Sequence, residues 1–223
     1  HGGLLRFFHG FRIKEVLEAK YHLPVMALND GKAAALAELA TGHLQGVTNG
    51  AALVLGSGLG GGFIINGKLF QGSHFQAGEL TFLLPVQMEK VDPSLMRGMD
   101  LSAVGLITKV NEVLGNSDLK DGLAAFKAIN AGDETVYSLF ESYCRNLAIT
   151  ILNLQTIFDV ETFVIGGGIS AQPILIKEVN RQFDKVHHEI DFIGKIIKRP
   201  EIVACHHHSG ANLIGAAYFL KQK

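Results

Sequence analysis

The residues of this 223-residue chain best suited to chemistry are two sets of glycines and the few carboxylates near them. Gly56, Gly58, Gly60, Gly61 and Gly62 sit between two apolar runs, residues 51–55 and 63–65, with Ser57 adding a hydroxyl. Backbone N–H groups with no side chains over them make an anion-binding concavity, phosphate foremost. The competing reading is a ligand-free hairpin turn, but there are more glycines here than a turn needs. Gly56-x-Gly58-x-x-Gly61 also fits the dinucleotide fingerprint in form. That fingerprint requires a helix directly after its glycines, whereas a strand and an Asn66-Gly67 turn signal follow here. A P-loop is excluded because no Gly-Lys-Ser/Thr ends the stretch.

A second glycine set, Gly166, Gly167 and Gly168, follows an apolar strand pattern and precedes a helical one. Gly166-x-Gly168-x-x-Ala171 fits the relaxed dinucleotide pattern, but the next strand ends in His206-His207-His208 rather than in the acid that would take the ribose hydroxyls. Three bare glycines can still lie against a flat nucleotide ring. Adjacent residues of an extended stretch point in alternate directions, so the three histidines are poorly placed to share one metal ion and read as surface or site-edge imidazoles.

Asp30 follows an apolar tetrapeptide and Asn29, and opens an alanine-rich helical pattern. Two roles fit it: a helix cap, or a reactive carboxylate at the carboxyl end of a strand, where open α/β sheets collect their ligands. Glu79 lies among small residues in Ala77-Gly78-Glu79, after a strand, and reads either as an ordinary surface glutamate or as a ligand contact.

The elements that must position these groups follow from periodicity and punctuation. Strands are expected at residues 25–28, 51–55, 63–65, 68–70, 161–165 and 202–205. Helices are expected at 14–21, 31–44, 103–114, 119–130, 134–158, 172–183 and 210–220, with Ser170 capping the helix that has Pro173 in its first turn. Residues 1–11 read as loop and 88–101 as a connector. Strands interleaved with helices predict an α/β fold.

The chain is 48% hydrophobic and 18% charged with a formal net charge of −1, which gives no sign of a nucleic-acid or membrane-surface partner. No apolar run reaches the ~18 residues of a membrane span. Cys144 and Cys205 have neither metal-ligand nor disulfide-framework spacing, so a reducing, cytoplasmic setting is expected.

Taken in order, Asn29-Asp30 with AAALAE, LGSGLGGGFIINGKLFQG, Ala77-Gly78-Glu79, NLQTIFDVETFVIGGGIS and ANLIGAA resemble the ROK family of bacterial sugar kinases and sugar-responsive repressors. The resemblance runs over nearly the whole chain. It implies an actin-like ATPase fold, the ribonuclease H-like fold of sugar kinases, with a mixed sheet flanked by helices. It implies phosphorylation of a hexose or hexose derivative by ATP with Mg²⁺, in a homodimer. Asp30 would be the catalytic base, and Asn29 and Glu79 would hold sugar hydroxyls. Residues 56–62, including Gly56, Ser57, Gly58 and Gly60, would form a phosphate loop, and Gly166, Gly167 and Gly168 would lie on the adenosine. Residues 29–209 would be the large sugar- and ATP-binding lobe, and residues 1–28 a remnant of the small lobe, against which 210–223 could pack.

Two departures from the family pattern carry expectations. Zinc-containing members have a histidine three residues after the glutamate and then a cysteine-rich run. Here that position is Phe82, and no cysteine lies between Glu79 and Cys144, so no zinc is expected and His74 is the candidate replacement imidazole. Members also carry an Asp-x-Gly-Gly-Thr first phosphate loop, and these 223 residues contain none, so the chain reads as starting inside the small lobe. A sugar-sensing regulator of the same family, or a nicotinamide enzyme using residues 166–171, are the alternatives.

Overall fold

A computed structural model describes residues 8, 10–84, 96–189 and 191–221. The expectations for residues 1–7 and 88–95 lie outside the described residues. The others trace a helix α1 (Ile13–Tyr21), α2 (Asp30–Thr41), strands β1 (Gly50–Leu55), β2 (Leu59–Ile65) and β3 (Lys68–Phe70), and a short helix α3 (Arg97–Asp100). Then come α4 (Ala103–Leu114), α5 (Gly122–Ala131), α6 (Glu134–Phe158), β4 (Thr162–Gly167), α7 (Pro173–His188), α8 (Ile193–Ile196), β5 (Glu201–Ala204) and α9 (Ala211–Lys221). No described helix is long and apolar enough to cross a membrane.

The strands form one mixed sheet in the order β3-β2-β1-β4-β5. The β1-β2-β3 meander is antiparallel, while β1, β4 and β5 run parallel. Alternate residues of each strand face opposite sides. Leu53, Leu55, Phe163, Ile165 and Ile202 join a core with α4, α5, α6 and α7. Ala52, Ile64, Val164 and Cys205 join a second core with α2 and α9. Both faces are covered, which is why the central strands read as continuous apolar runs rather than alternating ones.

The glycines of β2 answer to this packing. A Cβ on Gly31, in the first turn of α2, would lie 2.7 Å from the Gly61 nitrogen and oxygen, and one on Gly62 would lie 2.7 Å from the Ala35 methyl. Helix α2 therefore rests directly on the backbone of β2. The expected glycine loop of residues 56–62 is correspondingly shorter than its sequence suggests: Leu55 pairs with Leu59, leaving only Gly56, Ser57 and Gly58 as loop, while Gly60, Gly61 and Gly62 belong to the strand.

Other boundaries also differ from expectation. Residues 25–28 are not a strand, because no described strand pairs with them. Their backbone is instead tied locally, the Val25 N–H donating to Glu18 Oε1 at 3.1 Å, and Met26 and Leu28 pack on the second core. Helix α5 starts three residues late because Asn111 Nδ2 holds the Leu119 and Asp121 carbonyls in a loop and Asp121 caps the Leu123 and Ala124 amides. Ser170 does not cap α7; its hydroxyl donates to the Gly167 carbonyl at 2.8 Å, and α7 starts after Gln172 and runs on to His188.

Candidate active site

Strands β1 and β4 pair in parallel with Leu55 opposite Gly167, so their carboxyl ends emerge side by side. The two glycine sets, distant in sequence, are neighbours for that reason. Between them lies a cavity of about 460 Å³, lined by Leu55 and Gly56 on one side and Gly168, Ile169 and Gln172 on the other. Its far wall comes from α4 (Val104, Ile107), α5 (Leu123, Phe126) and the loop that joins them (Asp118, Lys120, Asp121). Leu123 is 82% exposed, an apolar side chain held out at the cavity rim.

The three glycines of the second set are not equivalent. Gly167 has φ +100° and its Cβ would run into the backbone of Leu55, so this residue is glycine because β1 lies against it. Gly168 and Gly56 have no atom within 4 Å of where a Cβ would be, so both present bare backbone to open space. Helix α7 begins at Pro173, five residues beyond Gly168, rather than directly after the glycines as a dinucleotide fingerprint requires.

Asn29, not Asp30, caps α2, with Asn29 Oδ1 accepting the Lys32 N–H at 3.3 Å. Its amide Nδ2 donates to Glu79 Oε1 at 3.3 Å, so two candidates fifty residues apart share a hydrogen bond. Asp30 is the first residue of the helix. Its Oδ1 accepts the Gly31 N–H at 2.8 Å and lies 3.9 Å from where a Gly60 Cβ would be. The carboxylate is thus exposed, at a helix N-terminus, beside a glycine strand two residues from the loop. A negative charge is favoured there by the helix dipole.

His74 is also exposed but makes no hydrogen bond or ion pair with another described residue. The next residue, Phe75, has φ +58°, which costs a residue with a Cβ about 1 kcal/mol or more. Ser57 is exposed at the tip of the first loop. The histidines His206 and His207 lie elsewhere, at the C-terminal end of α2: His207 Nε2 meets Thr41 Oγ1 at 2.9 Å and His206 packs edge-on against His43. That end is on the order of 16 Å along the helix from Asp30. Among the described residues no group of three or more His, Cys, Asp or Glu side chains is placed to hold a metal ion.

Two residues of this region escaped the sequence reading. Lys32 is buried in α2, its ammonium donating to the Phe75 carbonyl at 2.5 Å. Burial pulls its pKa below the ordinary lysine value, and the nearby Glu79 carboxylate opposes that shift. A lysine set among alanines, on a helix with no polar stripe, was the available signal. Thr81 holds the exit of the first glycine loop: its hydroxyl accepts the Leu59 N–H and donates to the Leu59 carbonyl, both at 3.1 Å.

The profile of the ROK family matches residues 5–93 and 101–223. The chain belongs to the ROK family. It is 30% identical to a β-glucoside kinase of Listeria innocua over 224 aligned residues, covering 100% of this chain and 73% of that protein. It is 29% identical to an N-acetyl-D-glucosamine kinase of Vibrio parahaemolyticus, covering 94% of this chain and 71% of the relative. Among solved structures, a ROK family protein from Streptococcus pneumoniae in complex with sucrose superimposes with a TM-score of 0.81 at 31% identity, over 96% of this chain and 71% of the other. A ROK family glucokinase from Streptomyces griseus in complex with glucose and AMPPNP gives 0.79 at 25% identity, over 94% and 72%. These ROK neighbours confirm the actin-like ATPase architecture, with its mixed sheet flanked by helices.

Proposed function

We propose that this ROK chain binds ATP and a hexose or hexose derivative and transfers the γ-phosphoryl group to a sugar hydroxyl. The observation that carries the reading is the meeting of Gly56 and Gly168 at one cavity on the carboxyl ends of β1 and β4, with Asp30 next to the same glycine-rich strand. The kinases among its relatives, and the AMPPNP in the Streptomyces griseus structure, support the nucleotide.

In this reading the sugar hydroxyl oxygen attacks the γ-phosphorus, the bond to the β-phosphate oxygen breaks, and ADP leaves. The hydroxyl proton passes to the Asp30 carboxylate, since an alcohol is a poor nucleophile while it keeps its proton. Asn29 and Glu79 hold neighbouring sugar hydroxyls, His74 is at the edge of that site, and the amides at Gly56, Ser57 and Gly58 meet the phosphates. Gly60 keeps the space beside Asp30 free of a side chain. Gly166, Gly167 and Gly168 set the floor for the adenosine, with Gly168 offering the open face. When Mg²⁺ is bound with the nucleotide, it neutralises charge on the phosphate oxygens. Residues 29–209 form the lobe that binds both substrates, and α1, which has no buried residue, lies outside it.

The test is a coupled ADP-release assay on the full-length protein with glucose, N-acetylglucosamine, N-acetylmannosamine, fructose and β-glucosides. Phosphorylation of at least one is expected. No turnover with any of them, in a protein that melts cooperatively, would overturn the proposal.

A further inference from the structure

The outer edge of β2 is paired with β3 only at residues 63–65, which leaves residues 59–62 without a strand neighbour on that side among the described residues. Residues 78–82 take that place. Leu80 is buried, its Cδ1 2.7 Å from where a Gly61 Cβ would be. Thr81 then uses both hydrogen-bonding capacities of one hydroxyl on one residue, accepting from the Leu59 N–H and donating to the Leu59 carbonyl. A Cβ on Gly58 would come within 2.7 Å of that hydroxyl oxygen, and one on Gly98 within 2.7 Å of the Thr81 Cα, so Thr81 is enclosed between the loop and α3. The other end of the loop is fixed independently. The Gly56 carbonyl accepts the Ala103 N–H at 2.9 Å and the Ser102 hydroxyl at 3.4 Å.

Glu79 precedes Thr81 by two residues, a span of about 7 Å at most. One short, well-packed segment therefore carries both the carboxylate that meets Asn29 and the hydroxyl that fixes the exit of the first glycine loop. We propose that Thr81 is a positioning residue that sets the phosphate loop in register with the sugar-holding Glu79. This rests on the kinase reading above. Transfer requires the sugar hydroxyl and the γ-phosphorus within a near-attack distance, and an error of about 1 Å costs on the order of 10²-fold in rate. The hydroxyl makes the spacing between the two half-sites a property of the backbone. Neither half-site then sets it alone.

The experiment uses the full-length protein and two variants. Thr81→Val keeps the shape and removes both hydrogen bonds; Thr81→Ser keeps the hydroxyl. The valine variant should lower kcat at least about tenfold and raise KM for ATP, with the sugar Kd within about twofold of the parent, and the serine variant should restore kcat to within about threefold. A valine variant with parental kcat, or a serine variant as impaired as the valine one, overturns the assignment. If Thr81→Val fails to fold, amide exchange in the unaltered protein decides: sugar added without nucleotide should slow exchange at Leu59, and an unchanged rate overturns it. A parent that turns over no sugar overturns the kinase reading, and a competent parent with an unaffected Thr81→Val overturns this inference alone.

Discussion

The Lys32 ammonium, inside helix α2, donates to the Phe75 carbonyl at 2.5 Å and so ties the loop that leads to Glu79 onto the helix that begins at Asp30. Phe75 is held at φ +58°, a conformation a phenylalanine leaves readily without an external tie. Lys32→Met keeps the aliphatic stem and removes the donor. It should raise the sugar KM by about tenfold, roughly 1.4 kcal/mol of lost ground-state binding. Global stability should change little, because removing a buried charge offsets the lost hydrogen bond. Steady-state kinetics beside a thermal melt checks both halves. An unchanged sugar KM would separate Lys32 from the site.

Asp30→Asn isolates the proposed base from the fold. Asn29 is the residue that caps α2, and an amide oxygen at position 30 can still accept the Gly31 N–H, so the helix start survives. Turnover should fall by about 10²–10⁴-fold while sugar binding holds. The helix loses only the dipole interaction of one exposed carboxylate, about 0.3–1 kcal/mol. Sugar titration by calorimetry and single-turnover kinetics on the same sample are the measurements. Near-parental turnover would remove Asp30 from the chemistry.

The glycines divide into those the nucleotide needs and those the fold needs. Gly168 and Gly56 face open space, so Gly168→Val and Gly56→Val should fold with near-parental melting temperature and weaken nucleotide binding by at least about tenfold, 1.4 kcal/mol. Gly167→Val should instead fail to fold, since its side chain would occupy the backbone of Leu55 at φ +100°. Fluorescent-ADP titration and melting curves distinguish the two classes. A Gly168→Val protein that binds nucleotide like the parent would detach that loop from the cavity's ligand.

The sequence made the order of elements legible because periodicity and glycine punctuation report local preferences: α4 and α6 begin and end where their apolar spacing and caps place them. Misread boundaries occurred where the cause was tertiary. Residues 25–28 have strand composition but no described partner, and Gly60, Gly61 and Gly62 read as loop although they are strand, Gly62 being required by the α2 backbone that rests on it and Gly61 by Gly78 and Leu80. The Asn29–Glu79 contact depends on α2 and residues 78–80 both packing against Gly61 of β2, and the shared cavity of Gly56 and Gly168 depends on β1 and β4 lying parallel, a fact about residues over a hundred apart that no local pattern contains. Thr81 and Lys32 left almost no trace, because one hydroxyl and one lysine acquire meaning only from the backbone groups they meet.

The buried junction between α2 and the end of β5 gives the chain a pH dependence of known sign. The Cys205 thiol donates to Glu38 Oε1 at 2.9 Å, and Glu38 also accepts the backbone N–H groups of His43 and His207. Burial, and then the adjoining Glu38 carboxylate, push the thiol up to about 12 from its ordinary 9.0. Between those values the unfolded chain has released the proton and the folded chain keeps it, so the folded state binds more protons and stability falls as pH rises. The thiol's contribution is complete below about pH 9 and is lost at up to about 1.4 kcal/mol per pH unit above it. Cys144 and Tyr143, also raised by burial, act in the same direction, and Lys32, whose pKa is lowered, acts in the opposite one. Comparison with Cys205→Ala isolates the single group. That variant should be about 1–3 kcal/mol less stable at pH 7.5, from the lost hydrogen bond and the small cavity. The deficit should shrink as pH is raised from 8.5 to 10.5 in denaturant melts run on both proteins. Stability curves that stay parallel across that range would show that Cys205 does not hold its proton in the folded state.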